Sequence, residues 1–268
     1  MILESLIDEL FKSDGTKTDK EILNSFTSKD SLCPEIFEGT DGQYKMISDI
    51  RENLTSISNA FVEYIDLDFF IHDIVLTGSL ANFNWSEFSD VDLHILLDMD
   101  EFDESAGADS VVLHKIVKEF FDGKRQLWNN NHDISVKGFE VEVYVQDINE
   151  KHESTGVYSI LNNKWVIEPQ KLESAKDLDK SIILSKATDF MKVIDDLGEK
   201  SKSGEDVINK IEEVRKRLKK FRQSGLDDGG EYSYENLAFK LLRRNGYVEK
   251  LLTLKNSQMD KKLSVADQ

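Results

Sequence analysis

One cysteine and two prolines stand in 268 residues. A lone cysteine excludes an internal disulfide framework, and a reducing cytoplasm is the expected setting. Cys33 sits directly before Pro34 in an expected loop, and no chemistry is assigned to it. No apolar run approaches the roughly 20 residues that cross a bilayer, so no membrane partner is expected. Positive charge is also scarce. Lys and Arg number 34 against 52 Asp and Glu, for a formal net charge of -18. That balance repels a polyanion at long range and argues against broad binding to long nucleic acid. His72, His94, His114, His132 and His152 show no metal-ligand spacing with one another, and there is no Cys/His zinc pattern.

The residues present describe a globular chain. Hydrophobic residues make up 39% and aromatic residues 9%, enough for a core in one large domain or two small ones. The N-terminal MILESLIDELFKSDG mixes acids among its apolar residues and lacks a basic region. It reads as an amphipathic helix over 2–11, not a signal peptide. Residues 12–44 are polar, with a helical turn around 20–26. A helix then carries Met46, Ile47, Ile50, Leu54, Ile57 and Phe61 on one stripe. Strands are expected at 74–77 and 91–97, an acidic loop over 98–109, and a helix over 110–129 that packs Val112, Ile116, Phe120 and Leu127. Hairpins are expected around Lys137-Gly138 and around Asn162-Asn163. Beyond Asp177 the pattern is helical. Ile182 to Leu197, Ile208 to Phe221 and Leu237 to Leu252 form three stripes, with a break at Gly225 to Gly230. No internal repeat is seen. The expected architecture is α+β: an N-terminal helical and loop segment (1–44), a mixed sheet with flanking helices (45–170) and an all-helical C-terminal domain (171–268).

The segment IVLTGSLANFNWSEFSDVDLHILL (74–97) carries the chemistry. It reads as strand, Gly-Ser turn, short helix, loop and strand. Asp90 and Asp92 are two residues apart at the entry to the second strand, so both side chains lie on one face. Paired carboxylates call for a divalent cation, and a Gly-Ser turn can hold phosphates. Together they point to metal-assisted transfer of a nucleotide. A third acid belongs on a neighbouring strand. In FEVEVYV (139–145), valines alternate with Glu140, Glu142 and Tyr144, which offers Glu142 and, second, Glu140.

Gly78-Ser79, ten residues, Asp90-Val-Asp92-Leu, then an acid within a strand resembles the nucleotidyltransferase superfamily of DNA polymerase β. The resemblance covers roughly residues 45–168 and implies a nucleotidyltransferase-type mixed sheet followed by helices. It implies that Gly78 and Ser79 contact a triphosphate, that Asp90 and Asp92 bind two Mg²⁺ (or Mn²⁺) ions, and that the third acid binds one metal and accepts the proton of an acceptor hydroxyl. Glu142, between Val141 and Val143-Tyr144, fits the family frame better than Glu140, although the family usually has Asp there. The turn continues Leu80-Ala81-Asn82-Phe83, without the Arg or Gly common after Gly-Ser. That leaves Ser79 and backbone amides at a helix N-terminus to hold phosphate.

The implied activity is transfer of an NMP from an NTP to an acceptor hydroxyl with release of pyrophosphate. The acceptor stays open among small molecule, tRNA end and protein. A non-catalytic nucleotide-binding or partner-interaction module on the same fold is the competing reading. A third is toxin-like nucleotidylation of tRNA or protein, motivated by the basic segment KIEEVRKRLKKFR (210–222). Related enzymes bring a lysine and a serine from later helices to the phosphates. Lys219 or Lys220 with Ser233 fit those parts, although Ser233 also reads as an N-cap. Tyr144, Tyr232 and Tyr234 are candidates for base stacking or simple packing. Trp85 is a candidate pocket wall, Trp165 reads as core, and His94 shares the face of Asp90 and Asp92.

Overall fold

The computed structural model describes residues 18–40, 42–67, 69–102, 110–152, 154–171 and 178–264. The helix expected over 2–11 and residues 103–109 of the expected acidic loop lie outside them. In chain order the elements are α1 (Asp19–Ser25), β1 (Phe37–Glu38), β2 (Lys45–Met46), α2 (Ser48–Ile65), β3 (Asp73–Thr77), β4 (Val91–Leu97), α3 (Ser110–Asn131), β5 (Ser135–Val136), β6 (Phe139–Asp147), β7 (Val157–Ser159), β8 (Lys164–Ile167), α4 (Lys180–Lys202), α5 (Ile208–Gly229), α6 (Tyr234–Arg244) and α7 (Tyr247–Leu263), with short 3-10 turns between some of them. The chain is mixed α+β. It divides into an α/β unit, Thr27–Glu173, and a helical unit, Met1–Phe26 with Ser174–Gln268. This differs from a separate 1–44 segment: α1 joins the helical unit and residues 27–44 the α/β unit.

The α/β unit is built on a six-stranded sheet in the order β5-β6-β4-β3-β7-β8. Only β4 and β6 run parallel, joined through α3; the other neighbours are antiparallel. Alternation in VDLHI (91–95) and FEVEVYV divides the sheet into two faces. Val91, Leu93, Ile95, Leu97, Val141 and Val143 are buried, and pack with Ile74 and Leu76 against α2 and α3. Asp92, His94, Glu142, Tyr144 and Gln146 occupy the opposite face, half-buried. In α2, Ile50, Leu54, Phe61 and Ile65 repeat at helical spacing and are buried, and the helix stops at Asp66 in the left-handed region. Both expected hairpins form. Lys137 (φ 54°) and Gly138 (φ 85°) turn β5 into β6, the paired positive φ of a tight hairpin turn.

In α3 the expected face is not the buried one. Val117, Phe121 and Trp128 are buried, with Leu113 partly so, whereas Val112, Ile116, Phe120 and Leu127 are exposed. Two apolar stripes lie roughly 100° apart on this helix, and periodicity alone cannot rank them. The aromatic stripe fills the core: Trp128 meets Phe61 edge-on at 5.6 Å and Phe121 meets Phe69 at 5.6 Å. This rotation also turns Asn129 to the sheet. β5 covers β6 only at Phe139 and Glu140. Beyond it, the Asn129 amide donates to the Val143 carbonyl and accepts from the Val143 N–H, both at 3.1 Å. Asn129→Ala strands both groups, and is expected to lower stability by about 1–3 kcal/mol. In urea this reads as a lower midpoint at unchanged slope; an unmoved midpoint would show that water serves the edge equally well.

In the helical unit, Ile183, Ala187, Phe190, Met191, Ile194 and Leu197 of α4 are buried, as are Ile211, Val214 and Leu218 of α5 and Leu237, Ala238, Leu241 and Leu242 of α6. α1 belongs here: Arg244 donates to the Ser25 hydroxyl at 2.8 Å, and Asn245 donates to Asp19. The break expected at Gly225 to Gly230 falls at its end. α5 runs through Gly225, where a side chain would press on Ser233 and Glu235, and stops before Gly230 (φ 66°). The last expected stripe is two helices, parted at Gly246 (φ 73°).

Charge is distributed unevenly. The α/β unit holds 29 Asp and Glu against 11 Lys and Arg, while the helical unit holds 23 of each. The whole net charge of -18 therefore belongs to the α/β unit. Among the described residues no helix is long and apolar enough to cross a membrane.

Candidate functional site

Register places Asp92 at the centre of the site. It lies opposite Thr77 across β3–β4 and opposite Glu142 across the parallel β4–β6 pair. Thr77 is the last residue of β3, so Gly78 follows beside Asp92. Ligand oxygens of Asp90, Asp92 and Glu142 lie within 4.8 Å of one another, and all three residues are half-buried. Glu140 is not in this group. It is exposed and paired with Ser135 of β5. Gly78 has φ 71° and ψ -159°, a combination open essentially to glycine alone. A methyl group there would overlap the Asp92 carboxylate. The glycine thus supplies both the turn and the room for the acid beside it.

After Gly78 comes the expected short helix, as a single 3-10 turn, Ser79–Ala81. One such turn has little dipole, so an anion here would be held by hydroxyl and amide groups. The Ser79 hydroxyl donates to the Ser89 hydroxyl at 2.8 Å, and Ser89 accepts from the Ser86 N–H at 3.0 Å. This ties the turn to the loop that leads into Asp90. Asn82 braces the turn: its amide donates to the Gly78 carbonyl at 2.6 Å, and its oxygen accepts from the Thr155 hydroxyl at 2.8 Å.

A row of planar groups continues from the acids along the same sheet face. Tyr144 donates its O–H to Glu142. Its ring stacks on His94 with centroids 4.8 Å apart, and the Arg125 guanidinium lies 4.8 Å from its centre. His94 Nδ1 meets Gln146 Oε1 at 2.8 Å. Burial holds the His94 pKa down to about 4, against a smaller upward pull from Gln146, so the imidazole is neutral at pH 7. Burial and then the Glu142 carboxylate push the Tyr144 phenol upward; it stays a hydrogen-bond donor. Tyr144 therefore fixes the Glu142 carboxylate. Tyr144→Phe is expected to weaken Mn²⁺ binding by about tenfold, the worth of one charge-assisted hydrogen bond, with little change in Tm. Equal Mn²⁺ titrations of the two proteins would remove Tyr144 from the site.

Lys219 is exposed on α5. Ser233 caps α6, accepting from the Asn236 N–H at 3.3 Å. Tyr232 is buried in the 3-10 turn before α6, and the Tyr234 hydroxyl accepts from the Asp179 N–H. Trp85 donates to the Ser31 carbonyl at 2.8 Å, and Trp165 stacks on Phe37 against the core. A second group able to hold a metal, His72 with Asp98 and Glu101, is more exposed. Sequence reasoning missed Ser89, Asn82, Arg125 and Gln146. Gln146 was legible, two residues beyond Tyr144 on the same strand face. Arg125 was hidden by the misread phase of α3.

No protein-family model, curated protein or solved structure matches the chain.

Proposed function

We propose that the chain is a metal-dependent nucleotidyltransferase that moves an NMP from an NTP to an acceptor hydroxyl and releases pyrophosphate, and that its mixed sheet is of the nucleotidyltransferase type. One observation carries the reading: ligand oxygens of Asp90 just before β4, Asp92 on β4 and Glu142 on β6 lie within 4.8 Å of one another, with side-chain-free Gly78 against Asp92. The donor set fits Mg²⁺ or Mn²⁺. It consists of hard carboxylate oxygens with no thiol or imidazole among them. When bound there, such ions supply positive charge to the attacking and leaving oxygens of an in-line displacement.

The chain's own residues do the rest. Asp90 and Asp92 would hold the ions, and Gly78 leaves room for the Asp92 carboxylate beside the turn. The Ser79 turn holds triphosphate oxygens beside the acids. Glu142 is oriented through one oxygen by Tyr144 and takes the acceptor's proton on the other. The acceptor oxygen bonds to the α-phosphorus as the bond to the bridging oxygen breaks, and pyrophosphate leaves with that electron pair. The acid excess of the α/β unit favours a small-molecule or protein hydroxyl over a tRNA end.

The test is pyrophosphate release with each NTP and Mg²⁺, paired with thermal shift. A nucleotide- and Mg²⁺-dependent rise in Tm with pyrophosphate release is expected. A Tm that no NTP moves, with release at background, would contradict the reading; a shift without release would leave a binding module.

A further inference from the structure

Among the described residues, an exposed apolar stripe runs along α3. Val112, Ile116, Phe120 and Leu127 are 56%, 58%, 39% and 54% exposed. In helical projection they fall within about 80° of one another. Gly123 lies in the same stripe, and a side chain built on it would meet nothing within 4 Å. Together the four side chains offer on the order of 400 Å² of apolar surface, the size of patch that marks an interaction site on a soluble protein.

We infer that this stripe is a homodimer interface in which α3 pairs antiparallel with α3 of a second copy. The spacing is the argument. The stripe reads Val, Ile, Phe, Gly, Leu at intervals of four, four, three and four residues, nearly the same in reverse. At about 1.5 Å per residue, an antiparallel copy sets Val112 opposite Leu127 and Phe120 beside its own mate on the two-fold axis. Ile116 then falls opposite Gly123, so the largest aliphatic protrusion meets the one gap. Such self-complementarity is what a two-fold interface requires. Along one flank Lys115 lies about 3 Å along the axis from Asp122 of the second copy, twice by symmetry, where Asp122 also meets Arg125 of its own chain. Glu119 meets its own mate near the axis, which keeps the pairing weak. Both patches together, with their polar rims, bury about 1,000 Å², the size of a transient association.

The test is light scattering on the full chain from about 1 μM to about 300 μM, the range in which an interface of this size dissociates. The mass is expected to rise from one chain toward two. Ile116→Glu is expected to hold it at one chain throughout. Gly123→Leu separates this geometry from general stickiness. It improves helix propensity and adds apolar surface, yet fills the gap that Ile116 needs, so association is expected to fall at least tenfold with Tm maintained. Stronger association of Gly123→Leu overturns the proposed pairing. A dimer untouched by Ile116→Glu overturns it too, by placing the contact elsewhere. A wild-type mass that never leaves one chain also overturns it.

Discussion

Asp92→Asn is expected to reduce NTP-dependent pyrophosphate release by about 10³-fold, the scale on which a preorganised group facing developing charge contributes, and to leave the fold intact. Asp92 is the pivot of the site: it pairs with Thr77 on one side and Glu142 on the other, and touches Gly78. The amide keeps the shape of the side chain but removes the negative oxygen that an ion needs. Two other carboxylates lie within 4.8 Å, so removing one charge also relieves repulsion among them. In metal-free buffer the protein is expected to remain folded. A loss of activity accompanied by a large fall in Tm would assign Asp92 a structural role.

Gly78→Ala is expected to damage activity and stability together. The new methyl group meets the Asp92 carboxylate, which must rotate away. A misplacement of about 1 Å at a reacting centre costs about 100-fold in rate. The backbone at φ 71° and ψ -159° adds about 1–3 kcal/mol of strain for a residue with a Cβ. Gly138→Ala is the control. Its φ is 85°, yet no atom lies within 4 Å of the added methyl, so it is expected to lose stability and keep activity at a temperature where both proteins are folded. If Gly78→Ala and Gly138→Ala behaved alike in both assays, the glycine at the acid site would serve the turn alone.

Strands and their faces were legible because alternation in VDLHI and FEVEVYV has period two, a pattern that lapses only at Leu96, which is buried on the other face. Pairing was not: that Asp92 stands level with Glu142 depends on β4 and β6 being parallel neighbours, which follows from tertiary packing. That register, and the exposure of Glu140 beside β5, decides which glutamate joins the two aspartates. Helix faces fared worse where two apolar stripes coexist. In α3 the aromatic volume of Phe121 and Trp128 selected the buried side, and the error concealed Asn129 and Arg125. Glycine was ambiguous for a similar reason. Gly225 marks a close approach within α5, whereas Gly230 and Gly246, with positive φ, end or part helices. Net charge gave a sum without a distribution, and only the division into units located the acid excess.

Mn²⁺ titration followed by electron paramagnetic resonance, in the presence of NTP, bears most directly on whether the three acids form a cation site. Wild-type protein is expected to quench the free-ion signal beyond what the NTP alone quenches, and Asp90→Asn with Asp92→Asn in one chain to add nothing to the quenching by NTP. Identical quenching by both proteins would place the cation somewhere other than Asp90, Asp92 and Glu142, and the proposed chemistry with it.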